Sequence, residues 1–211
     1  MALMLIAIDT SFGARYSCTV FGFEREINKL HSEISSAMYG REKCYLHWSK
    51  TSKKIRKKAR KEIGDSIRRS RVQFYIFEHK KPQGVRRKEY FLTYVPNSIS
   101  SHIHTKLMGK FGVVIVEADR DFEIKNISNA TMKFVQNFLF QICFKLVGKP
   151  VTIRRENQVL KATVKFPNQN KLGFVGRINT SRNSKAIQLA DIALGYYLSK
   201  KGFEKMFFRK I

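Results

Sequence analysis

Ala2-Leu3-Met4-Leu5-Ile6-Ala7-Ile8-Asp9 is the stretch that decides how the rest of the chain is read. It is an unbroken apolar run closed by a carboxylate, too short for an ordinary helix and without alternation. Such a run predicts a central strand covered on both faces. Gly112-Val113-Val114-Ile115-Val116-Glu117-Ala118-Asp119 repeats the pattern. Side chains alternate along a strand, so Leu3, Leu5, Ala7 and Asp9 share one face of the first run. Val113, Ile115, Glu117 and Asp119 share one face of the second. Strands buried on both sides need helices above and below, which predicts an α/β fold with a mixed sheet flanked by helices.

Working outward, Gly13 marks a turn and residues 16–23, β-branched and aromatic, predict a second strand in a hairpin with the first. Residues 43–65 predict a helix with Ser49 or Thr51 as N-cap. Residues 72–77 predict a short strand, 80–88 a basic loop, and 90–95 a further strand ahead of Pro96. Residues 98–108 predict a short helix closed by Gly109. Residues 128–147 predict a long one, with Val135, Phe138, Leu139, Ile142 and Leu146 as its core stripe. Strands are expected at 151–153 and 162–166, and a last helix at 184–198. The 211 residues read as a single domain, with a basic helix and loop region at about 43–90.

The charge is extreme. There are 41 Lys and Arg against 16 Asp and Glu, a formal net charge of +25. Such a chain repels itself and calls for a polyanionic partner, nucleic acid before a membrane, because the cations cluster without a long apolar segment beside them. From Lys50 to Lys61, eight of twelve residues are cationic: Lys50, Lys53, Lys54, Arg56, Lys57, Lys58, Arg60 and Lys61. Ile55, Ala59 and Ile63 give this helix one narrow apolar stripe. A merely solvated helix would carry interspersed acids for i,i+4 pairing, and here they are scarce. Arg68, Arg69, Arg86, Arg87 and Lys88 extend the basic surface. Such cations meet phosphates and confer affinity without sequence specificity.

Several classes are excluded. Cys18, Cys44 and Cys143 are odd in number and far apart, with no CxxC pair, so no disulfide framework or zinc knuckle is expected. The opening run lacks a basic leader and reads as a strand rather than a signal peptide. Residues 134–147 are interrupted by Gln136, Asn137, Gln141 and Lys145, so no transmembrane span is expected, and the reading is a cytoplasmic protein. His102-x-His104 has no third ligand in a sensible place for zinc. Gly173 to Gly176 lacks the strand-to-helix setting of a phosphate loop. Ser11 has no triad-like context. Nothing in the sequence fixes an oligomeric state.

With so few acids, their positions carry information. Asp9 and Asp119 each close a strand, and Asp191 falls on the stripe Ile187, Asp191, Leu194, Leu198 of the last helix. A carboxylate on an apolar stripe is costly unless something positive meets it. Three converging carboxylates would suit Mg²⁺ or Mn²⁺, hard cations held by few protein oxygens and substrate phosphate. Two such ions can drive phosphodiester hydrolysis. Structural roles, a turn cap for Asp9 and an Arg partner for Asp191, are the alternative.

The order strand–Asp–hairpin, middle strand ending in Asp, and final helix carrying Asp resembles the ribonuclease H-like fold. Ser181-Arg182-Asn183-Ser184-Lys185-Ala186-Ile187-Gln188-Leu189-Ala190-Asp191 is similar to the C-terminal signature of the family known as domain of unknown function 3800. That family opens with a strand running into Asp-Glu-Ser-Gly; here Ile8-Asp9-Thr10-Ser11-Phe12-Gly13 keeps the Asp and Ser and replaces the Glu by Thr10. Tyr45-Leu46-His47-Trp48 resembles its post-hairpin Glu-Leu-His. The resemblance implies a metal-dependent nuclease with Asp9, Asp119 and Asp191 as catalytic metal ligands. Glu117 and Asp121 are the alternatives for the middle ligand. His47 is expected to position phosphate or water, and Ser184 and Gln188 to cap the last helix and orient Asp191. The alternative function is an inactive RNA- or DNA-binding protein on the same fold, and a third is nucleoid packaging.

Overall fold

The computed structural model describes residues 3–11, 16–42, 44–80, 83–86, 89–110, 112–120, 129–199 and 209–210. Strands β1 (Leu3–Ser11) and β2 (Tyr16–Phe23) form the expected antiparallel hairpin, with Asp9 opposite Cys18. The chain then enters α1 (Glu24–Tyr39), a helix the sequence reading does not assign. Next come α2 (Lys53–Arg69) and β3 (Gln73–Glu78), then a π-helical turn over Tyr90–Tyr94 that runs directly into α3 (Val95–Leu107). β4 (Gly112–Asp119) and α4 (Ala130–Val147) follow. The chain ends with β5 (Arg154–Glu156), β6 (Val159–Lys165), β7 (Lys171–Asn179), α5 (Lys185–Leu198) and β8 (Arg209–Lys210).

The strands form one sheet in the order β5-β6-β7-β4-β1-β2-β3-β8. β1 lies parallel to β4, and β4 parallel to β7; β2 and β6 run against their neighbours. The fold is therefore α/β with a mixed sheet and helices on both faces. Met4, Ile6 and Ile8 of β1 and Val114, Val116 and Ala118 of β4 pack under α3 and α4, with Phe91, Phe134 and Phe138 at the centre. Leu5 and Ala7 face the other way, into α1, α2 and α5. All five residues of the predicted α4 stripe are buried.

Several sequence expectations are corrected: the strand expected at 151–153 lies instead at Arg154–Glu156. Residues 90–95 are helical rather than extended. Pro96 lacks the N–H that Leu92 O would take in a regular turn, and Asn137 Nδ2 donates to that carbonyl instead at 2.6 Å. The basic helix begins at Lys53, not at residue 43, and Ser52 rather than Ser49 or Thr51 caps it, accepting from Ile55 N–H at 3.3 Å. Residues 44–51 are drawn instead onto α5. Among the described residues, no helix is long and apolar enough to cross a membrane, and all three cysteines are free thiols.

Candidate functional site

β1 and β4 point the same way and pair as far as Ile8 with Ala118. Asp9 and Asp119 are the next residue on each strand, on the same face, at the carboxyl ends of neighbours about 4.8 Å apart. Crevices at the carboxyl ends of parallel strands are where open α/β sheets bind ligands. α5 packs across this face and adds Asp191. All three carboxylates line one cavity of about 460 Å³, together with Thr10, His47, Trp48 and Ser181. Beneath it lies Cys18, whose thiol pKa is raised well above normal by burial and then by the charges of Asp9 and Asp191.

The cavity wall is built by a short segment strapped to α5. Trp48 N–H donates to Asp191 Oδ2 at 2.6 Å, and His47 Nδ1 stands 3.2 Å from the same oxygen. One turn earlier, Gln188 Oε1 accepts from Leu46 N–H at 2.9 Å and from His31 Nε2 at 2.8 Å, while Gln188 Nε2 donates to Ser181 O at 2.6 Å. Burial lowers the His31 pKa, which keeps that ring neutral with its proton on Nε2. One turn later, Gly195 lets the Trp48 ring lie on the helix: a Cβ there would overlap the indole. Gln188, Asp191 and Gly195 thus form a ladder that fixes residues 46–48. Burial pushes the Asp191 pKa up, opposed by the Trp48 N–H, His47 and Lys50. Among the described residues the cations at Asp191 are His47 and Lys50 rather than the Arg of the alternative structural reading.

Glu117 is diverted. It is 3% exposed and does not line the cavity. Its Oε1 accepts from Arg177 Nε at 2.8 Å and Asn179 Nδ2 at 3.1 Å, and its Oε2 from Ser184. Ser184 in turn caps α5, accepting from Ile187 N–H at 3.2 Å. Glu117 therefore anchors the start of α5 and through it aims Asp191, two turns further on. Among the described residues, no three His, Cys, Asp or Glu side chains form a ready-made ion cage. Asp121 lies outside the described residues.

The basic surface adjoins the cavity. Trp48 also lines a second groove with Lys53, Arg56, Lys57, Arg60 and Ser199. Lys50, Lys53, Lys54, Lys57, Lys58 and Lys61 are exposed, while Arg56 and Arg60 are half-buried. Arg68 pairs with Asp65 at 2.7 Å, and Arg69 and Arg86 are exposed. β3 runs parallel to β1 and its end, Glu78, is level with Tyr16. The loop that follows, with Arg86, therefore leaves the sheet at the same edge as Asp9 and Asp119. Arg87 and Lys88 lie outside the described residues. His102 and His104 sit on α3 with each Nδ1 against a backbone carbonyl, Ser98 O at 2.8 Å and Ser101 O at 2.9 Å.

The sequence reading missed Trp48, Gly195 and the Glu117 network. Gly195, one turn after Asp191 on the same stripe, was the signal that something presses on the helix there. Comparison with family models, curated proteins and solved structures yields no match to this chain.

Proposed function

We propose that this protein is a divalent-metal-dependent nuclease on a ribonuclease H-like fold, gripping nucleic acid through α2 and the loop after β3. One observation carries the reading. Three carboxylates from two parallel strand ends and a helix share a 460 Å³ cavity in a chain of net charge +25, next to a helix that presents cations to solvent. The order of Asp on the hairpin strand, Asp on its parallel neighbour and Asp on the last helix is the one the family resemblance implies.

The donor set suits Mg²⁺ or Mn²⁺. All three groups are hard carboxylate oxygens, and one of them, Asp191, is pushed toward its protonated form by burial, a cost that a cation relieves. Magnesium keeps several waters and needs few protein carboxylates beside substrate phosphate, so a closed cage is not required. When bound, the ion supplies Lewis acidity for phosphodiester hydrolysis. Asp9, Asp119 and Asp191 would hold it, while Asp191 Oδ2 keeps residues 47 and 48 in place. With Nδ1 against Asp191, His47 has Nε2 left to hold or pass a proton at the phosphate. The cations of α2 neutralise the flanking backbone.

The test is cleavage of labelled single- and double-stranded DNA and RNA and of a branched junction. Each is incubated with Mg²⁺ or Mn²⁺, with chelator, and with Asp9→Asn or Asp119→Asn. Cutting should require metal and fall by at least ~100-fold in either variant while binding survives. A second reading, an inactive RNA- or DNA-binding protein, is favoured by Thr10, which stands where the opening motif of the resembled family has Glu. Tight, salt-sensitive binding by the wild type with no cutting of any substrate overturns the nuclease and selects that reading.

A further inference from the structure

α2 carries two kinds of cation. Lys54, Lys58 and Lys61 stand in solvent, where a charge needs no partner. Arg56 and Arg60, one turn apart, fold back against the protein. Arg56 lies over the Trp48 ring at 5.3 Å and Arg60 over the Tyr196 ring at 6.0 Å. Stacking on aromatic faces suits the flat guanidinium and holds its donor edge in place. Arg56 Nε and Arg60 Nε and Nη2 are buried, yet no acceptor in the described protein reaches them. A buried, charged donor without an acceptor is costly, and natural proteins rarely leave three in one place. The groove they line, about 300 Å³ with Trp48, Lys53, Lys57 and Ser199, holds four cations, a hydroxyl and, among the described residues, no acid. The four cations ask for an anion, while the Ser199 hydroxyl already donates to Tyr196 O at 2.9 Å.

Which anion follows from the position. The groove and the carboxylate cavity share Trp48 and Ser199, so one polymer strand can occupy both. The helices are also seated for it: a Cβ at Gly64 of α2 would come within 2.6 Å of Tyr196 Oη, so Gly64 permits the close approach that brings Arg60 over that ring. A planar donor fork matches two oxygens of one phosphate, a fit that a lysine ammonium does not reproduce.

We propose that this groove is a phosphate subsite, in which Arg56 and Arg60 clamp a phosphodiester of the strand whose neighbouring phosphate enters the carboxylate cavity. The subsite rests on the nucleic-acid reading above and sets the register in which the strand crosses Trp48. α2 is then a graded surface, with exposed lysines gathering the polyanion and the two stacked arginines fixing one phosphate.

Trp48 is the single tryptophan of the chain, so its emission reports on the groove directly. Single-stranded DNA and RNA oligonucleotides are titrated in chelator, following emission and affinity, with wild type, Arg56→Lys/Arg60→Lys and Lys58→Gln/Lys61→Gln. Wild-type emission should change on binding. The Arg-to-Lys pair should bind about tenfold more weakly although its charge is unchanged. The Lys-to-Gln pair, which loses two charges, should lose less affinity but show a shallower salt dependence. Because the arginine donors have no protein acceptor, the Arg-to-Lys pair should melt close to wild type; Arg60→Gln alone is the second variant if it does not. Unchanged affinity in the Arg-to-Lys pair, or silent Trp48 emission, overturns the subsite. Inorganic phosphate reproducing the full emission change, with oligonucleotide adding nothing, overturns the strand as its source. Cutting plays no part in chelator, so a protein that passes this test and never cleaves refutes the nuclease and leaves the subsite standing.

Discussion

The two faces of the central strands are made from the same residues in alternation, and they do different work. Toward α3 and α4, β1 shows Met4, Ile6 and Ile8 and β4 shows Val114, Val116 and Ala118, apolar to the last position. Toward α5, the same strands show Leu5, Ala7 and Asp9, and Ile115, Glu117 and Asp119. The helices differ in kind as well. α4 meets its face with Phe134, Phe138, Leu139 and Ile142, all buried, whereas α5 sets Gln188 and Asp191 among Ile187, Ala190 and Leu194. A slip of one residue would exchange the faces and turn both carboxylates into the apolar core. The hairpin and the two parallel neighbours that fix the register are therefore what aims the site.

The first face should carry stability with little bearing on binding. Phe138→Ala removes a fully buried ring and should cost about 3–5 kcal/mol, read by urea unfolding. Trp48 emission and oligonucleotide affinity, measured where the variant is folded, should stay at wild-type values. A parallel loss of affinity would break the division between the faces.

At the rim of that face, His79 stacks on Phe77 at 6.0 Å and its Nε2 lies 2.7 Å from Ser17 Oγ. Burial lowers its pKa from 6.5 to about 4. Between those values the unfolded chain binds the proton and the folded one does not, so stability is complete above pH 6.5 and lost as pH falls toward 4. The loss should reach roughly 3 kcal/mol. Unfolding at pH 7 and pH 4.5 in wild type and His79→Gln checks it: the variant should show a flatter acid limb, and equal slopes would sink the assignment.

How much of this the sequence discloses follows the same division. Strands β1, β2 and β4 and helix α4 are legible because unbroken apolar runs and a regular stripe report burial directly. α1 is not, because buried His31 and Ser35 interrupt its stripe of Ile27, Leu30, Ile34 and Met38, and those polar residues make sense only once Gln188 and Cys44 reach them. β7 hides behind Gly173 and Gly176; a Cβ at Gly176 would press to 2.7 Å from Val135, so α4 requires the gap. The three aspartates are legible as misplaced charges. The strap that completes their cavity joins residues 143 positions apart, Trp48 and Asp191, and no local pattern announces a contact of that range.

Asp191 supplies the smallest predicted effect and the sharpest one, because its sign opposes that of His79. Burial raises its pKa above the ordinary 3.8, and the Trp48 N–H, His47 and Lys50 only partly offset this. Between 3.8 and its folded value the native protein holds a proton that the unfolded chain has released, so this contribution falls as pH rises and stays unfavourable at neutral pH. Asp191→Asn keeps an oxygen for the Trp48 N–H and removes the buried charge. It should therefore raise the Tm at pH 7, with the gain shrinking as the pH is lowered toward 3.8. Added Mg²⁺ should stabilise the wild type by about 1.4 kcal/mol at ten times its Kd and the variant by less. Equal melting of the two proteins at every pH would mean that the carboxylate is already compensated by its neighbours. The α5 face would then be as settled as its counterpart, with no unmet charge left to call for a cation.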